Sequence, residues 1–417
     1  MAVESKKPAH LINAESIGRF VGSEAGRETI RRELVECGQV KAGEQALILL
    51  DDQAPDGTEQ VIEVIVGMLR QMGLGVTVMH TDALLPLAHG GMPGSFASVE
   101  KYRLPKAWFQ AILAADVVFD YTASGRGAQK YNVDFYTLSS YYGKRIIGRR
   151  AVEAPEVMWS EDDPNRPNAE AMLFPGDLLR AIGDRINEKL FATAETQKEF
   201  RLTNPWGTDL RFTTLPGDIC APSAGIRRHP RSDQFYGDDS NRLYRGIAGV
   251  QVTQTCEGVW VTRFCSLLGG RLSEPITIRY KDGFIAGAEG GPDAKRLLDL
   301  IADEPAGVHA ILMGINPKAT PFRAGEYMLG NDGAGAGVAH IGMGGAGMFY
   351  RSGKLGGVGA NHFQVGNLPK ISWWAGDECI CRDGVLLTLQ DPAIREKARQ
   401  YGNPDELLRQ FSWPAEV

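Results

Sequence analysis

The spacing of apolar residues changes near residue 196, and this change constrains the fold more than any other feature of the sequence. Before it, short apolar runs at residues 43–52, 75–80 and 116–121 alternate with segments in which apolar residues recur at helical spacing. Strand, helix and strand in this order form a βαβ unit, whose strands lie side by side in a parallel sheet. With a fourth run at residues 144–150, the pattern predicts a doubly wound parallel α/β domain.

An amphipathic helix at residues 175–195 closes this first part, and the pattern then becomes alternating. Alternation of apolar and polar residues is typical of half-buried strands. Turn-forming residues separate several of these strands, at residues 204–207 and at Asp282-Gly283. We therefore predict two domains, an N-terminal α/β domain over residues 1–195 and a strand-rich α+β domain over residues 196–417.

The composition excludes some classes of protein. The 417 residues are 43% hydrophobic and 23% charged, with a net charge of -6 and no long run of lysine or arginine. No apolar run approaches the roughly 18 residues that span a bilayer, and the first 16 residues lack the apolar segment of a signal peptide. The six cysteines contain no CxxC pair, which favours reduced thiols. We expect a cytoplasmic protein without nucleic-acid or membrane partners.

Residues 308–368 combine many glycines with three of the seven histidines, His309, His340 and His362. Glycine lets the backbone adopt positive φ angles and approach its neighbours closely. Two interpretations are open for this segment. It is either a glycine-rich loop region with ordinary histidines, or a metal site, because neutral imidazole is the commonest protein ligand of metals and ligands can come from distant strands.

Nucleotide-binding motifs are absent from the sequence. A dinucleotide site requires GxGxxG after the first strand, but that strand is followed by residues 51–55, which are Asp-Asp-Gln-Ala-Pro. The GxGxxG at Gly342, Gly344 and Gly347 has no βαβ unit around it. We therefore interpret the N-terminal domain as a scaffold or lid.

Five strings in the second half resemble, in order, the thermophilic metalloprotease family of aminopeptidases. They are GTDLRF at 207–212, QTCEGVWVT at 254–262, MGINPKA at 313–319, GAGAGVAHIGMGG at 333–345 and NHFQV at 361–365. The family has a two-metal centre, and the resemblance implies Glu257, His340 and His362 as ligands here. Two positions depart from it, because Ala310 replaces a glutamate and Gln364 replaces an aspartate.

These departures change the expected metal content. Two adjacent divalent cations need several carboxylates to offset their repulsion. The resemblance, with two carboxylates lost, therefore implies one divalent transition metal per subunit in the strand-rich domain. Mn(II) is the expected metal, and Fe(II), Co(II) and Zn(II) are alternatives.

The resemblance extends to two groups in the same superfamily with a reduced metal site. One hydrolyses the amino group of nitro-substituted aminobenzoates, and the other contains iron dioxygenases that open hydroxypyridine rings and have a ligand histidine at the position of Ala310. A metal-bound water needs no redox change and tolerates different ligand sets. We therefore expect a metal-dependent aminohydrolase that replaces the amino group of a small aromatic acid, such as 5-nitroanthranilate, by hydroxyl. Alternatives are a mononuclear iron ring-cleavage dioxygenase, a metal-dependent aminopeptidase and a binding protein without activity.

Further side chains are candidates for the chemistry. Glu326 lies between the ligand strings and is a candidate for either a further metal ligand or the general base, with Tyr327 beside it as a second catalytic candidate. His309 adjoins the altered position Ala310 and is a candidate to replace the lost ligand after a small register shift, whereas Gln364 occupies the other altered position; we assign both to substrate binding. The resemblance also implies a homo-oligomer.

Three arginines are candidates for binding a substrate carboxylate, which a guanidinium pairs with bidentately. They lie in the segment GIRRHPRSDQFYGDD and are Arg227, Arg228 and Arg231.

Overall fold

The computed structural model of the chain describes a defined set of residues. These are residues 14–51, 57–81, 106–121, 145–148, 171, 173–216, 219, 226–228, 235–237, 247–250, 255–268, 270–302, 306–319, 322–323, 326–327, 335–345 and 363–413. His10, His89, His229, Arg231 and His362 therefore lie outside the described residues.

The chain divides into two compact units. Unit 1 comprises Met1–Leu173 and Gly225–Tyr244, and unit 2 comprises Phe174–Ala224 and Arg245–Val417. The predicted division at residues 195 and 196 differs from this one, because the helix at 176–195 belongs to unit 2. Its buried stripe, which includes Leu178, Ile182 and Ile186, is part of the core of unit 2. An amphipathic stripe shows that a helix is half buried, but not in which unit.

Unit 1 contains a parallel sheet with helices. Its strands, numbered along the whole chain, are β1 (Gln45–Asp51), β2 (Gly75–Thr81), β3 (Val117–Asp120) and β4 (Arg145–Gly148), with the hairpin β7 (Ile226–Arg228) and β8 (Phe235–Gly237). Its helices are α1 (Ala14–Gly22), α2 (Glu24–Arg32), which continues as a π-helical turn (Glu33–Cys37), α3 (Thr58–Gln71) and α4 (Lys106–Ala114). The four-stranded sheet has the order β2-β1-β3-β4, and all its pairs are parallel.

The sequence of unit 1 explains this arrangement. Residues 46–50 of β1 are all buried, as expected for a central strand that is covered on both faces. Helix α3 buries Val61, Ile65 and Leu69, which are four residues apart and therefore share one face. The predicted strands of the first part thus form one parallel sheet.

Unit 2 contains most of the strands found in the described residues. They are β5 (Phe200–Thr203), β6 (Asp209–Thr213), β9 (Ile247–Val250), β10 (Thr255–Cys265), β11 (Gly270–Lys281), β12 (Phe284–Glu289), β13 (Ala306–Gly314), β14 (Phe322–Arg323), β15 (Glu326–Tyr327), β16 (Ala339–Gly345), β17 (Phe363–Leu368), β18 (Ser372–Ala375), β19 (Glu378–Arg382) and β20 (Val385–Leu386). Its helices are α5 (Gly176–Glu195), α6 (Gly291–Leu300), α7 (Pro392–Ala398) and α8 (Pro404–Leu407), with 3-10 turns at Ser266–Leu268 and Leu387–Gln390.

Six strands of unit 2 close into a ring. The antiparallel order is β11-β12-β13-β16-β17-β10, and β10 also pairs with β11. From β10 the sheet continues outward through β6, β5, β18, β19 and β20. The hydroxyl of Tyr280 on β11 donates to Met343 Sδ on β16 at 3.5 Å. Because these strands are not neighbours, this contact crosses the interior of the ring, which is the side of the main core.

Both hairpins predicted from turn residues are present. Asn204 Oδ1 accepts hydrogen bonds from the N–H groups of Trp206 and Thr208 between β5 and β6. Asp282 and Gly283 have φ angles of 52° and 81° between β11 and β12. Two positive φ angles in succession define the turn that suits the twist of an antiparallel pair, and glycine adopts the second without strain.

Among the helices in the described part of the chain, none combines the length and the apolar composition needed to cross a bilayer.

Candidate functional site

Strand β13 presents buried residues on both faces. Val308, Ile311 and Met313 belong to the main core inside the ring, whereas Ala310 and Leu312 form a separate buried cluster. Val308 and Ala310 are two residues apart and would share a face in a regular strand. They do not, because β13 has a bulge between them, at His309. An extra residue in one strand shifts the residues after it to the opposite faces.

His340 lies on the face that the bulge gives to Ala310 and Leu312. It is directly opposite Leu312 in the antiparallel pair of β13 and β16, and such residues have their side chains on the same face. His340 is 5% exposed, and Ala310 and Leu312 are 6% exposed. Gly342 follows two residues later and pairs with Ala310. We call Ala310, Leu312, His340 and Gly342 the His340 patch.

The third strand of the site is β17. Gly342 pairs with Ala310 of β13 and, on its other side, with Gln364 of β17. Neighbouring strands are about 4.8 Å apart, so the backbones of Ala310 and Gln364 are separated by two such steps. Three positions that the family resemblance singles out, Ala310, His340 and Gln364, therefore lie on three adjacent strands. His362 precedes β17 and is not among the described residues.

The MGINPKA string is a turn that fixes the entry to β16. Asn316 is fully buried, and its Oδ1 accepts a hydrogen bond from Lys318 N at 2.9 Å. Its backbone oxygen accepts one from Ala336 N at 3.1 Å, and Gly314 N donates to Val338 O at 3.1 Å. The end of β13 and the start of β16 are thereby held together, next to His340.

Glu257 has a different position. It is exposed on β10, and its Oε1 accepts a hydrogen bond of 2.7 Å from the N–H of Asp282 in the β11–β12 turn. That turn meets β13 at Val308, whose N–H donates to Gly283 O at 2.8 Å. His340 pairs with Leu312, four residues further along β13, so about 13 Å of strand separates the two points. The role of Glu257 as a metal ligand stays a prediction.

The described residues do not by themselves form a metal centre. Within them, no group of three His, Cys, Asp or Glu side chains is placed to hold a metal ion. His340 is the predicted ligand that they contribute to the patch. The backbone of His309 lies at the bulge of β13, next to Ala310 of the His340 patch. The predicted centre therefore requires residues outside the described ranges, His362 first among them.

The remaining predicted site residues are placed only by their backbones. Glu326 pairs with Arg323, and Tyr327 with Phe322, in the short β14–β15 hairpin between β13 and β16. This hairpin therefore lies in the segment that connects the two strands that carry the His340 patch.

Arg227 and Arg228 pair with Tyr236 and Phe235 in the β7–β8 hairpin of unit 1. The substrate-binding roles of both arginines stay predictions.

The buried thiols of Cys256 and Cys265 and the phenol of Tyr280 lie on the core side of the ring of strands, where burial makes them unreactive. Burial raises the pKa of the Cys265 thiol to about 12. Burial, with a smaller contribution from Glu257, also raises the pKa of Cys256. Both thiols are free and buried. Since the thiolate is the reactive form, these residues remain inert structural groups.

Comparisons with known proteins show a similarity of fold. Neither a family model nor a curated protein sequence matches the chain. The structure is similar to that of 2,5-dihydroxypyridine dioxygenase from Pseudomonas putida KT2440, with 17% identity, a TM-score of 0.57, and coverage of 87% of this chain and 97% of that one. It is also similar to wild-type AmpT from Thermus thermophilus, with 13% identity, a TM-score of 0.51, and coverage of 87% and 98%. The two similarities show a shared fold over most of the chain.

Proposed function

We propose that this protein is a metal-dependent aminohydrolase that acts on a small aromatic acid, with its site at the His340 patch. The observation that carries the proposal is the pairing of β13, β16 and β17. It brings Ala310, His340 and Gln364 together on three adjacent strands. A buried imidazole on a rigid sheet is a suitable metal ligand, because the surrounding packing fixes its orientation.

Ala310 supports the aminohydrolase over the dioxygenase in this proposal. It lies on the same face as His340 and has no donor atom, although the resemblance puts a ligand histidine of the ring-opening dioxygenases at this position. A hydrolytic reaction needs no change in the oxidation state of a metal and depends less on a particular ligand set. The aminohydrolase is therefore the first candidate, with Mn(II) as the expected metal.

A ring-opening dioxygenase is the second candidate. It is favoured by the similarity in fold to 2,5-dihydroxypyridine dioxygenase, which covers 97% of that chain. Under this alternative the metal would be Fe(II) and the substrate a hydroxypyridine. An aminopeptidase stays a third alternative, and in each case we propose a cytoplasmic homo-oligomer.

Assays with three substrates separate these activities. The protein is incubated with 5-nitroanthranilate and Mn(II), with 2,5-dihydroxypyridine and Fe(II), and with an aminoacyl anilide and Zn(II). We expect ammonia release from the first without oxygen uptake. Oxygen uptake with the second, or aniline release from the third, would replace the aminohydrolase by the corresponding alternative.

Substitution of His340 tests the location of the site. We expect His340→Ala to lower kcat/KM about a hundredfold or more, since even the loss of an outer partner of a metal ligand costs up to about that factor. His80→Ala is the matched control, because His80 is an exposed histidine on β2 of unit 1. Full activity in His340→Ala would remove the His340 patch from the proposal.

A further inference from the structure

The C-terminal segment of unit 2 contacts the loop that leads into β16. The side-chain amide of Gln410 donates from Nε2 to Ala336 O at 2.6 Å and to Gly384 O at 2.5 Å. Its Oε1 accepts a hydrogen bond from Leu386 N at 3.2 Å. One side chain therefore joins three backbone groups from two segments that are about 50 residues apart in the sequence.

The orientation of this amide follows from its partners. Two of the three are carbonyl oxygens, which only accept, and the third is an N–H, which only donates. The opposite orientation would leave the amide oxygen facing two carbonyl oxygens and its NH₂ group facing an N–H. Glutamine therefore fits this position, whereas glutamate, which has nearly the same shape, lacks both donors at neutral pH.

Two aromatic side chains hold the C-terminal segment that carries Gln410 in place. Phe411 and Trp413 pack edge to face, with ring centroids 5.0 Å apart, and Trp413 Nε1 donates to Gly384 O at 3.3 Å. Glycine at 335 permits this approach, because a Cβ there would lie 2.9 Å from Phe411 Cε1. A Cβ at Gly384 would overlap the ring of Trp413.

The loop held by Gln410 is the one that precedes His340. Ala336 N donates to Asn316 O at 3.1 Å, and Gly337 N donates to Gly314 O at 3.2 Å. These bonds fix the loop to the end of β13, and Gln410 fixes the same residue, Ala336, through its carbonyl oxygen. His340 follows Ala336 by four residues.

We propose that Gln410 is a positioning residue for His340, which it orients by clamping Ala336 at the entry to β16. The inference rests on the proposed function only in taking His340 as part of the site. Its contacts lie within unit 2 and do not depend on the identity of the substrate or the metal.

Two variants isolate the contact with Ala336. Gln410→Glu keeps the size of the side chain and an acceptor for Leu386 N, but loses the donors to Ala336 and Gly384. Trp413→Phe is the matched control, because it loses a donor to Gly384 and leaves Ala336 bound. Hydrogen exchange measured by mass spectrometry then compares peptides over residues 335–343 with peptides over residues 200–213 of β5 and β6.

We expect Gln410→Glu to speed exchange in residues 335–343 at least about tenfold, and Trp413→Phe to leave it unchanged, because amide protection follows the free energy of local opening. Exchange at residues 200–213 should remain as in the wild type. Unchanged exchange at 335–343, or an equal increase in both peptides, would overturn the inference, since the first shows no clamp and the second only a global loss of stability.

The imidazole of His340 provides a readout of position. Its ring signals in a spectrum of histidine-labelled protein are assigned by their loss in His340→Gln. We expect them to shift or broaden in Gln410→Glu and to stay unchanged in Trp413→Phe. A faster-exchanging loop with unchanged His340 signals would make Gln410 a structural residue and overturn the proposal. Failure of the proposed function is seen separately, as full activity in His340→Ala.

Discussion

At the scale of single residues, Glu257 shows how a side chain can match a motif and yet have a structural partner that the motif does not contain. Its carboxylate accepts the N–H of Asp282 at 2.7 Å, on an exposed face of β10. That partner is 25 residues away and is brought near only when β10, β11 and β12 form. The sequence string around Glu257 therefore could not predict this hydrogen bond.

Two substitutions at Glu257 test this structural role. Glu257→Gln keeps an oxygen acceptor for Asp282 N, so we expect a free energy of unfolding close to that of the wild type. Glu257→Ala removes the acceptor and should lower the free energy of unfolding by about 1 kcal/mol, the usual net value of one hydrogen bond. Urea denaturation measures both. An alanine variant as stable as the wild type would contradict a structural role for the hydrogen bond between Glu257 and Asp282.

The same pair of variants reports on the predicted ligand role. A carboxamide is a weaker metal ligand than a carboxylate, so a ligand at this position would show reduced Mn(II) affinity in Glu257→Gln without a change in stability. Titration calorimetry of the variant and the wild type measures this affinity.

At the scale of secondary-structure elements, local patterns predicted individual strands but not their closure. The turn residues at 204–207 and at Asp282-Gly283 correctly indicated two hairpins, because turn geometry depends on residues within the turn. The ring needs β10 to pair with both β11 and β17, and such long-range pairing leaves no mark in a local pattern. The bulge at His309, which sets the face of Ala310, is equally invisible in the sequence.

The candidate site shows the same division. The order of the strings singled out His340, and the structure puts this residue, buried, on β16 with Ala310 and Gln364 on the strands beside it. Gln410 was missed, because it acts on Ala336 from 74 residues away. Nothing near Gln410 in the sequence differs from an ordinary C-terminal helix end.

The packing of α7 against α5 gives a prediction for acid unfolding. Asp391 caps α7 through Ala393 N and accepts a hydrogen bond from Arg185 of α5, each at 2.8 Å. The bond from Arg185 and then the one from Ala393 lower the pKa of Asp391. A lowered folded pKa contributes stability above the unfolded value of about 3.9, and this is lost as the pH falls through the folded pKa.

Asp391→Asn tests this contribution, because asparagine is an equally good cap but has no charge for Arg185. Urea denaturation of both proteins from pH 7 downward should show the wild type more stable at neutral pH. The difference should shrink as the pH falls below about 4, toward the lowered pKa of Asp391. A difference in stability that stays constant across this range would contradict a contribution from the charge of Asp391.

At the scale of the whole molecule, the chain forms two compact units, so we do not expect it to unfold in a single transition. Ile65 is fully buried in α3 of unit 1, so Ile65→Ala should cost about 2–5 kcal/mol of local stability. Hydrogen exchange should speed in β1 and β3 while the strands of unit 2 keep their protection. An equal loss of protection in both units would show that they unfold as one.

The proposed function depends on the His340 patch, which lies on the face of β13 and β16 opposite the main core. The most direct measurement is the broadening of histidine ring signals by added Mn(II), which is paramagnetic and relaxes nuclei close to it. We predict that the His340 signal disappears at Mn(II) concentrations that leave the exposed His80 signal sharp. A His340 signal that stays sharp when the protein is saturated with Mn(II) would contradict a metal site at the His340 patch.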